Sequence, residues 1–190
     1  MPDLIELGTH YGTDKVEHNY MPFYQTRFDP IQSRPIALLE IGIMDGASLR
    51  TWRDYFEHGR VFGVDIDPDM LFEEDRIKCF EADQSGESRL QEIAEETGPL
   101  DIVIDDGSHC GRHHVVSFNA LWPFVKSGGW YCIEDCQSIF NDCWTQPADP
   151  TMFGLLAPRW QKILTGTDTI AEVTVAGDGP YSGIILIRKL

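Results

Sequence analysis

Five apolar runs of strand length, rich in β-branched and aromatic residues, recur along this chain: Ile36–Ile41, Val61–Ile66, Ile77–Glu81, Leu100–Asp105 and Trp130–Ile133. Helix-length stretches separate them. Strands that alternate with helices pair in parallel through crossovers, so the pattern confines the chain to an open α/β sheet. Two further runs, Ala171–Ala176 and Gly183–Arg188, are joined by the short Gly177-Asp178-Gly179-Pro180. That joint is too short for a crossover and predicts an antiparallel hairpin. The expected fold is a three-layer α/β sandwich, Rossmann-like, with a mostly parallel seven-stranded sheet containing one antiparallel strand.

The stretches between strands carry helical periodicity. Leu49, Trp52 and Phe56 mark the helix after the turn Gly42-Ile43-Met44-Asp45-Gly46, and Asp67-Pro68-Asp69-Met70 opens a short one. Ser85 is the expected cap of a helix that carries Leu90, Ile93 and Ala94 and stops at Gly98. Val115, Phe118, Leu121 and Trp122 lie on a helix that ends at Gly128-Gly129, and one more helix is predicted from Met152 to Leu164. Residues 136–150 read as a loop. Residues 1–35 read as a loop-rich segment covering cofactor and acceptor, ahead of a core over 36–190. With no repeat and no linker, residues 1–190 are expected to form one domain.

The formal charge of −16 argues against nucleic acid, whose phosphates are bound by Lys and Arg, and against an anionic membrane surface. No apolar run approaches the roughly 18 residues of a membrane span. The start, Met1-Pro2-Asp3-Leu4-Ile5-Glu6, has no signal-peptide character, so the expected compartment is the cytosol. Five cysteines, Cys79, Cys110, Cys132, Cys136 and Cys143, contain no CxxC pair and read as reduced thiols, mostly core.

Two of the runs end abruptly in carboxylates: Asp101-Ile102-Val103-Ile104-Asp105-Asp106-Gly107-Ser108-His109, and Trp130-Tyr131-Cys132-Ile133-Glu134-Asp135. In a parallel sheet both clusters reach one crevice at the carboxyl ends of the strands. Carboxylates gathered there repel one another unless a cation sits between them, and a hard divalent cation is the simplest candidate. His109, three residues past Asp106, is a candidate base. Against this stands the plainer reading in which these acids cap the helices that follow.

Glu40-x-Gly42-x-x-x-Gly46 closes the first strand and opens the first helix of the core, where glycines admit a ligand to the backbone. Asp65, 23 residues after Gly42, ends the second strand and suits the hydroxyls of a ribose; Asp83 ends the third. A dinucleotide wants G-x-G-x-x-G for its pyrophosphate. Here the spacing differs and Asp45 would repel phosphate. The sulfonium and ammonium of S-adenosylmethionine suit an acidic crevice, so Glu40, Asp45, Asp65 and Asp83 favour that cofactor.

Taken together, Tyr11-Gly12-Thr13-Asp14-Lys15, Leu39-Glu40-Ile41-Gly42, Gly63-Val64-Asp65-Ile66, Asp83-Gln84-Ser85, Asp105-Asp106-Gly107-Ser108-His109 and Ile133-Glu134-Asp135 resemble class I S-adenosylmethionine-dependent methyltransferases. The branch they resemble is the macrocin and mycinamicin sugar O-methyltransferases of antibiotic biosynthesis. The resemblance implies the class I methyltransferase fold and a cofactor pocket lined by Thr13, Lys15, Glu40, Gly42, Gly46, Asp65, Ile66, Asp83, Gln84 and Asp105. It implies Mg²⁺ held by Asp106, Glu134 and Asp135, and catalysis by His109 as general base with Asp106. Met44 departs from the family, which usually has glycine there, and the chain is shorter than members that carry an extra N-terminal domain.

Tyr20, Tyr24, His113, Phe140 and Trp144 are the candidate acceptor contacts; Trp52, Trp122 and Trp130 read as core, and His114 as surface. The expected activity is Mg-assisted O-methylation of a small-molecule hydroxyl, a sugar of a glycosylated natural product, by a protein for which a homo-oligomer is allowed. The alternatives are methylation of a phenol, nitrogen or carbon acceptor, or a protein of the same fold that binds S-adenosylmethionine without transferring methyl, as Met44 would suit.

Overall fold

The computed structural model describes residues 2–136, 150–179 and 182–190. Its elements in chain order are α1 (Leu4–Tyr11), α2 (Met21–Phe28), β1 (Ala37–Ile41), α3 (Ala47–Tyr55), β2 (Arg60–Asp65), β3 (Glu73–Glu74), β4 (Ile77–Glu81), α4 (Glu87–Thr97), β5 (Leu100–Asp105), α5 (Gly111–Leu121), β6 (Val125–Ile133), α6 (Met152–Leu156), α7 (Trp160–Leu164), β7 (Ile170–Gly179) and β8 (Ser182–Lys189). The strands form one sheet in the order β3-β4-β2-β1-β5-β6-β8-β7. β4, β2, β1, β5 and β6 run parallel, β8 is antiparallel to β6, and β7 pairs antiparallel with β8 as the expected hairpin. The two-residue β3, antiparallel to β4, is an addition to the seven strands read from the sequence.

Strand alternation divides the core. Ala37, Leu39 and Ile41 of β1 face α4 and α5, packing with Leu90, Ile93, Phe118 and Leu121. Leu38, with Ile102 and Ile104 of β5, faces the other layer, built from α1, α2 and α3 around Trp52, Tyr24, Phe28 and Phe56. Tyr24 meets Trp52 edge-on at 5.3 Å and stacks on Phe28 at 5.2 Å. Trp52, Trp122 and Trp130 are buried as expected.

The sequence reading needs four corrections in the fold. Residues 1–35 are substantially helical: Asp3 caps α1 by accepting the Ile5 and Glu6 N–H groups, Gly12 ends it at φ 74°, and Pro22 stands in the first turn of α2. Gly128 and Gly129 lie inside β6, which begins at Val125, and do not close a helix. The cap of α4 is Gly86; the Ser85 N–H and hydroxyl both donate to Asp83 instead. The predicted helix from Met152 to Leu164 is interrupted by a 3₁₀ turn at Ala157–Arg159, where Pro158 removes a backbone donor. Cys79, Cys110, Cys132 and Cys136 are free thiols, the last two buried, and Cys143 lies outside the described residues. Among the described residues no helix is long and apolar enough to cross a membrane.

Candidate active site

The chain runs outward from β1 to β2 and β4, then returns to β5 beside β1, so the crevice opens between the ends of β1 and β5. The Asp106 N–H donates to the Ile41 carbonyl at 3.0 Å, and Gly42 (φ 92°) passes so close that a Cβ there would collide with the Asp106 carbonyl oxygen. A cavity of about 540 Å³ lies above this joint. Its walls include Thr13, Lys15, Gly42, Met44, Asp65, Ile66, Asp83, Gln84, Asp106, His109, His113 and Asp135. That volume is within the range of small-molecule sites, roughly 300–1,000 Å³.

On the β2 side, the Asp65 carboxylate accepts the Ile43 N–H at 2.8 Å and the Asp67 N–H at 3.0 Å, which fixes the glycine turn against the end of β2. Met44 completes that turn in the left-handed region at φ 46°, unusual for a residue with a side chain, and points largely to solvent at 70% exposure. Gly46 is the N-cap of α3 and packs against Phe72 outside the cavity wall.

Asp105 is fully buried and does not reach the cavity. It accepts hydrogen bonds from Ser117, from Tyr131 at 3.1 Å and from the Gln84 side-chain amide at 2.5 Å. The Gln84 Oε1 then accepts the Ser108 N–H at 2.8 Å. Asp105 thus orients Gln84, and Gln84 pins the loop carrying Asp106 and His109. His114, expected at the surface, is buried beside this network, with Nε2 4.0 Å from Asp105 Oδ1. Burial lowers its pKa.

The deepest feature of the site is Lys15, a fully buried lysine. Its ammonium lies 3.0 Å from Glu40, 3.0 Å from Glu134 and 2.5 Å from Asp106, carboxylates at the ends of β1, β6 and β5. Burial opposes its charge, but Asp106, Glu134 and Glu40 outweigh it and hold the ammonium well above the ordinary lysine range. One ammonium does not balance three acids, and burial raises the pKa of Glu40, Asp106 and, most strongly, Glu134. Glu40 also accepts the Trp52 indole N–H at 2.7 Å, and Glu134 the Tyr24 hydroxyl at 2.6 Å. Neither Glu40 nor Glu134 lines the cavity. The carboxylates that do reach its wall here are Asp106 and Asp135, and with His109 they offer three ligand atoms within 4.8 Å of one another. The two carboxylates, beside a buried excess of negative charge, fit a hard dication, and the imidazole next to them is left to act as a base.

The structure brings together most of the residues singled out from the sequence, with instructive exceptions. Thr13, Lys15, Gly42, Asp65, Ile66, Asp83, Gln84, Asp106, His109, His113 and Asp135 share the cavity, whereas Glu40, Gly46, Asp105 and Glu134 stand behind its wall. Tyr20 and Tyr24, expected to face an acceptor, are fully buried and hold Asp135 and Glu134 from beneath. Phe140 and Trp144 lie outside the described residues. The sequence reading missed Ser108, whose hydroxyl pairs with His113 Nδ1 at 2.8 Å, and Trp52 as the partner of Glu40. Trp52 falls on the helical face that the periodicity of α3 marks as inward, but only the fold shows that it meets a carboxylate there.

No family model matches the chain. It is 42% identical over 147 residues to the 8-demethyl-8-(2-methoxy-alpha-L-rhamnosyl)-tetracenomycin-C 3'-O-methyltransferase of Streptomyces olivaceus, covering 73% of this chain and 38% of that protein. With the mycinamicin VI 2''-O-methyltransferase of Micromonospora griseorubida it shares 38% identity over 169 residues, or 82% of this chain and 42% of that one. Among solved structures, the MycE methyltransferase from the mycinamycin biosynthetic pathway, in complex with Mg, SAH and mycinamycin VI, superposes with a TM-score of 0.87 at 34% identity, covering 99% of this chain and 54% of that one. The chain has the class I methyltransferase fold and resembles the macrocin- and mycinamicin-type sugar O-methyltransferases. It spans about two fifths of these curated relatives and about half of the solved one. The same methyltransferase fold extends to the fibrillarin of Methanococcus jannaschii, with a TM-score of 0.55 at 17% identity.

Proposed function

We propose that this chain transfers a methyl group from S-adenosylmethionine to a hydroxyl of a sugar on a glycosylated natural product, with Mg²⁺ assisting. The observation that carries this reading is the convergence of Asp106, His109 and Asp135 on the cavity that also holds the Gly42 turn and Asp65. The names of the sugar O-methyltransferases that it resembles point the same way. S-adenosylmethionine, when bound, supplies an electrophilic methyl group on a sulfonium, and Mg²⁺ lowers the pKa of a coordinated hydroxyl and orients it.

The chain's own groups do the rest. Asp65 and the Gly42 turn take the nucleoside end of the cofactor, and Gln84 fixes the adjoining loop. Asp106 and Asp135 would hold the dication from the cavity side, with Glu134, bonded to Lys15 and Tyr24, immediately behind them. His109 takes the hydroxyl proton on its imidazole, and the enclosed walls align acceptor and cofactor. The charge of −16 suits a small-molecule acceptor and not a nucleic acid, and the cytosol is the compartment that fits free thiols.

Mass spectrometry of reactions containing cofactor, Mg²⁺ and a panel of rhamnosyl and deoxysugar glycosides tests the proposal. The expected product is the acceptor plus one CH₂, formed only with Mg²⁺ present. Methylation of phenols with no turnover of glycosides would overturn the sugar assignment, and full activity in EDTA would remove the metal.

A further inference from the structure

Asp135 follows β6 with φ 49°, a left-handed conformation that L-residues with side chains seldom adopt. Something must hold it there. One hydroxyl grips it at two points: the Tyr20 OH donates to Asp135 Oδ1 at 2.7 Å and accepts the Asp135 N–H at 3.3 Å. The remaining oxygen, Oδ2, faces His109 Nε2 at 3.7 Å on the cavity side. Tyr20 itself is fully buried and is not part of the cavity wall. The chain seats it by a hydrogen bond from its N–H to the Lys15 carbonyl at 2.9 Å, just ahead of α2. His18 Nδ1 also stands 3.9 Å from Asp135 Oδ1, but at the edge of ion-pair range and without a second point of attachment.

We propose that Tyr20 is a positioning residue for the metal: it sets the backbone of Asp135 and turns one carboxylate oxygen toward the dication, without touching cofactor or acceptor. The inference rests on the metal reading above. It separates Tyr20 from Tyr24 and Lys15, which act on Glu134 behind the wall, whereas Tyr20 governs a carboxylate that faces the cavity. Partners that orient a metal ligand typically change affinity by about 10- to 100-fold when removed.

The test is Mn²⁺ binding to the full chain without cofactor, followed by calorimetry, in wild type, Tyr20→Phe and Tyr55→Phe. Tyr20→Phe keeps the buried ring and removes one oxygen atom. Tyr55→Phe removes a comparable hydroxyl-to-carboxylate bond, to Asp29 at 2.6 Å, far from the site. The expected result is roughly 10- to 100-fold weaker Mn²⁺ binding for Tyr20→Phe alone, with S-adenosylmethionine affinity unchanged. Equal Mn²⁺ affinity in wild type and Tyr20→Phe overturns the inference and leaves the metal reading standing. So does an equal loss in Tyr55→Phe, which would reflect lost stability. Wild type that takes up no Mn²⁺ overturns the metal reading and the inference together. Should Tyr20→Phe be unfolded by circular dichroism, Tyr20→Leu, which fits within the volume of the ring and carries no polar atom, serves in its place, with the same expected loss.

Discussion

His109 stands beside Asp106 and Asp135 at the cavity wall, at φ 56°, on the loop that Gln84 pins. If it removes the acceptor proton, His109→Ala should lower kcat by about 10²-fold or more and leave cofactor affinity nearly unchanged. His113, tied through Nδ1 to Ser108, should matter less. Near-normal turnover in His109→Ala would show that the metal alone activates the hydroxyl. His114, one residue further along α5, makes a different statement. Burial depresses its pKa below the usual 6.5, with Asp105 opposing. Unfolding restores the ordinary value, so the unfolded chain binds more protons in the window just below pH 6.5. The stability contributed by a neutral His114 is therefore present above that window and lost as pH falls through it. Denaturant unfolding at pH 7 and pH 5.5 should show His114→Asn with the smaller loss; equal losses in wild type and variant would mean that His114 is not held neutral by burial.

Among the elements, the joint from β1 through its turn into α3 bears most on the site. Gly42→Ala would drive a methyl group into the Asp106 carbonyl, and relief requires parting β1 from β5. At roughly 1–3 kcal/mol for such overpacking, and about 2–4 °C per kcal/mol in a chain of this size, the expected fall in Tm is roughly 2–12 °C. Cofactor and Mn²⁺ affinity should fall with it, because the turn and Asp106 move together. Gly98→Ala, at φ 82° but with open space around it, should lose stability without losing either affinity; identical behaviour of the two variants would refute the argument. This joint was legible in sequence, as were the five long parallel strands among the described residues, because buried parallel strands write themselves as apolar runs ended by glycine or acid; β7 and β8 showed instead by alternation around a short glycine-rich joint. The first 35 residues were not legible. α1 and α2 are eight residues each, too short for periodicity to stand out among Gly, Thr, Asp and Tyr, and Tyr24 and Phe28 of α2 pack on Trp52 of α3. The site split along the same line. Asp65, Asp106, His109 and Asp135 announce themselves at strand ends. The turning of Glu134 toward Lys15 depends on a contact between residues 119 apart, which no local pattern encodes.

At the scale of the whole molecule, 31 acidic residues stand against 15 basic ones, and the cavity shares that excess. Ligands that carry positive charge gain from such a field, and those that carry phosphate lose. S-adenosylmethionine and a divalent cation are of the first kind and a dinucleotide is of the second. A ligand that binds only the folded state stabilises it by about 2.7 kcal/mol at 100 times its Kd. For a chain of this size that is a rise in Tm of roughly 5–11 °C. Thermal unfolding monitored by circular dichroism should therefore shift upward with saturating S-adenosylmethionine, and shift less for Asp65→Ala, whose carboxylate fixes the turn and is proposed to take the ribose hydroxyls. NADH at the same concentration should leave Tm where it was, because its pyrophosphate meets Asp45 and no phosphate-cradling glycine pattern. A shift with NADH and none with S-adenosylmethionine would sink the cofactor assignment and the proposed chemistry with it.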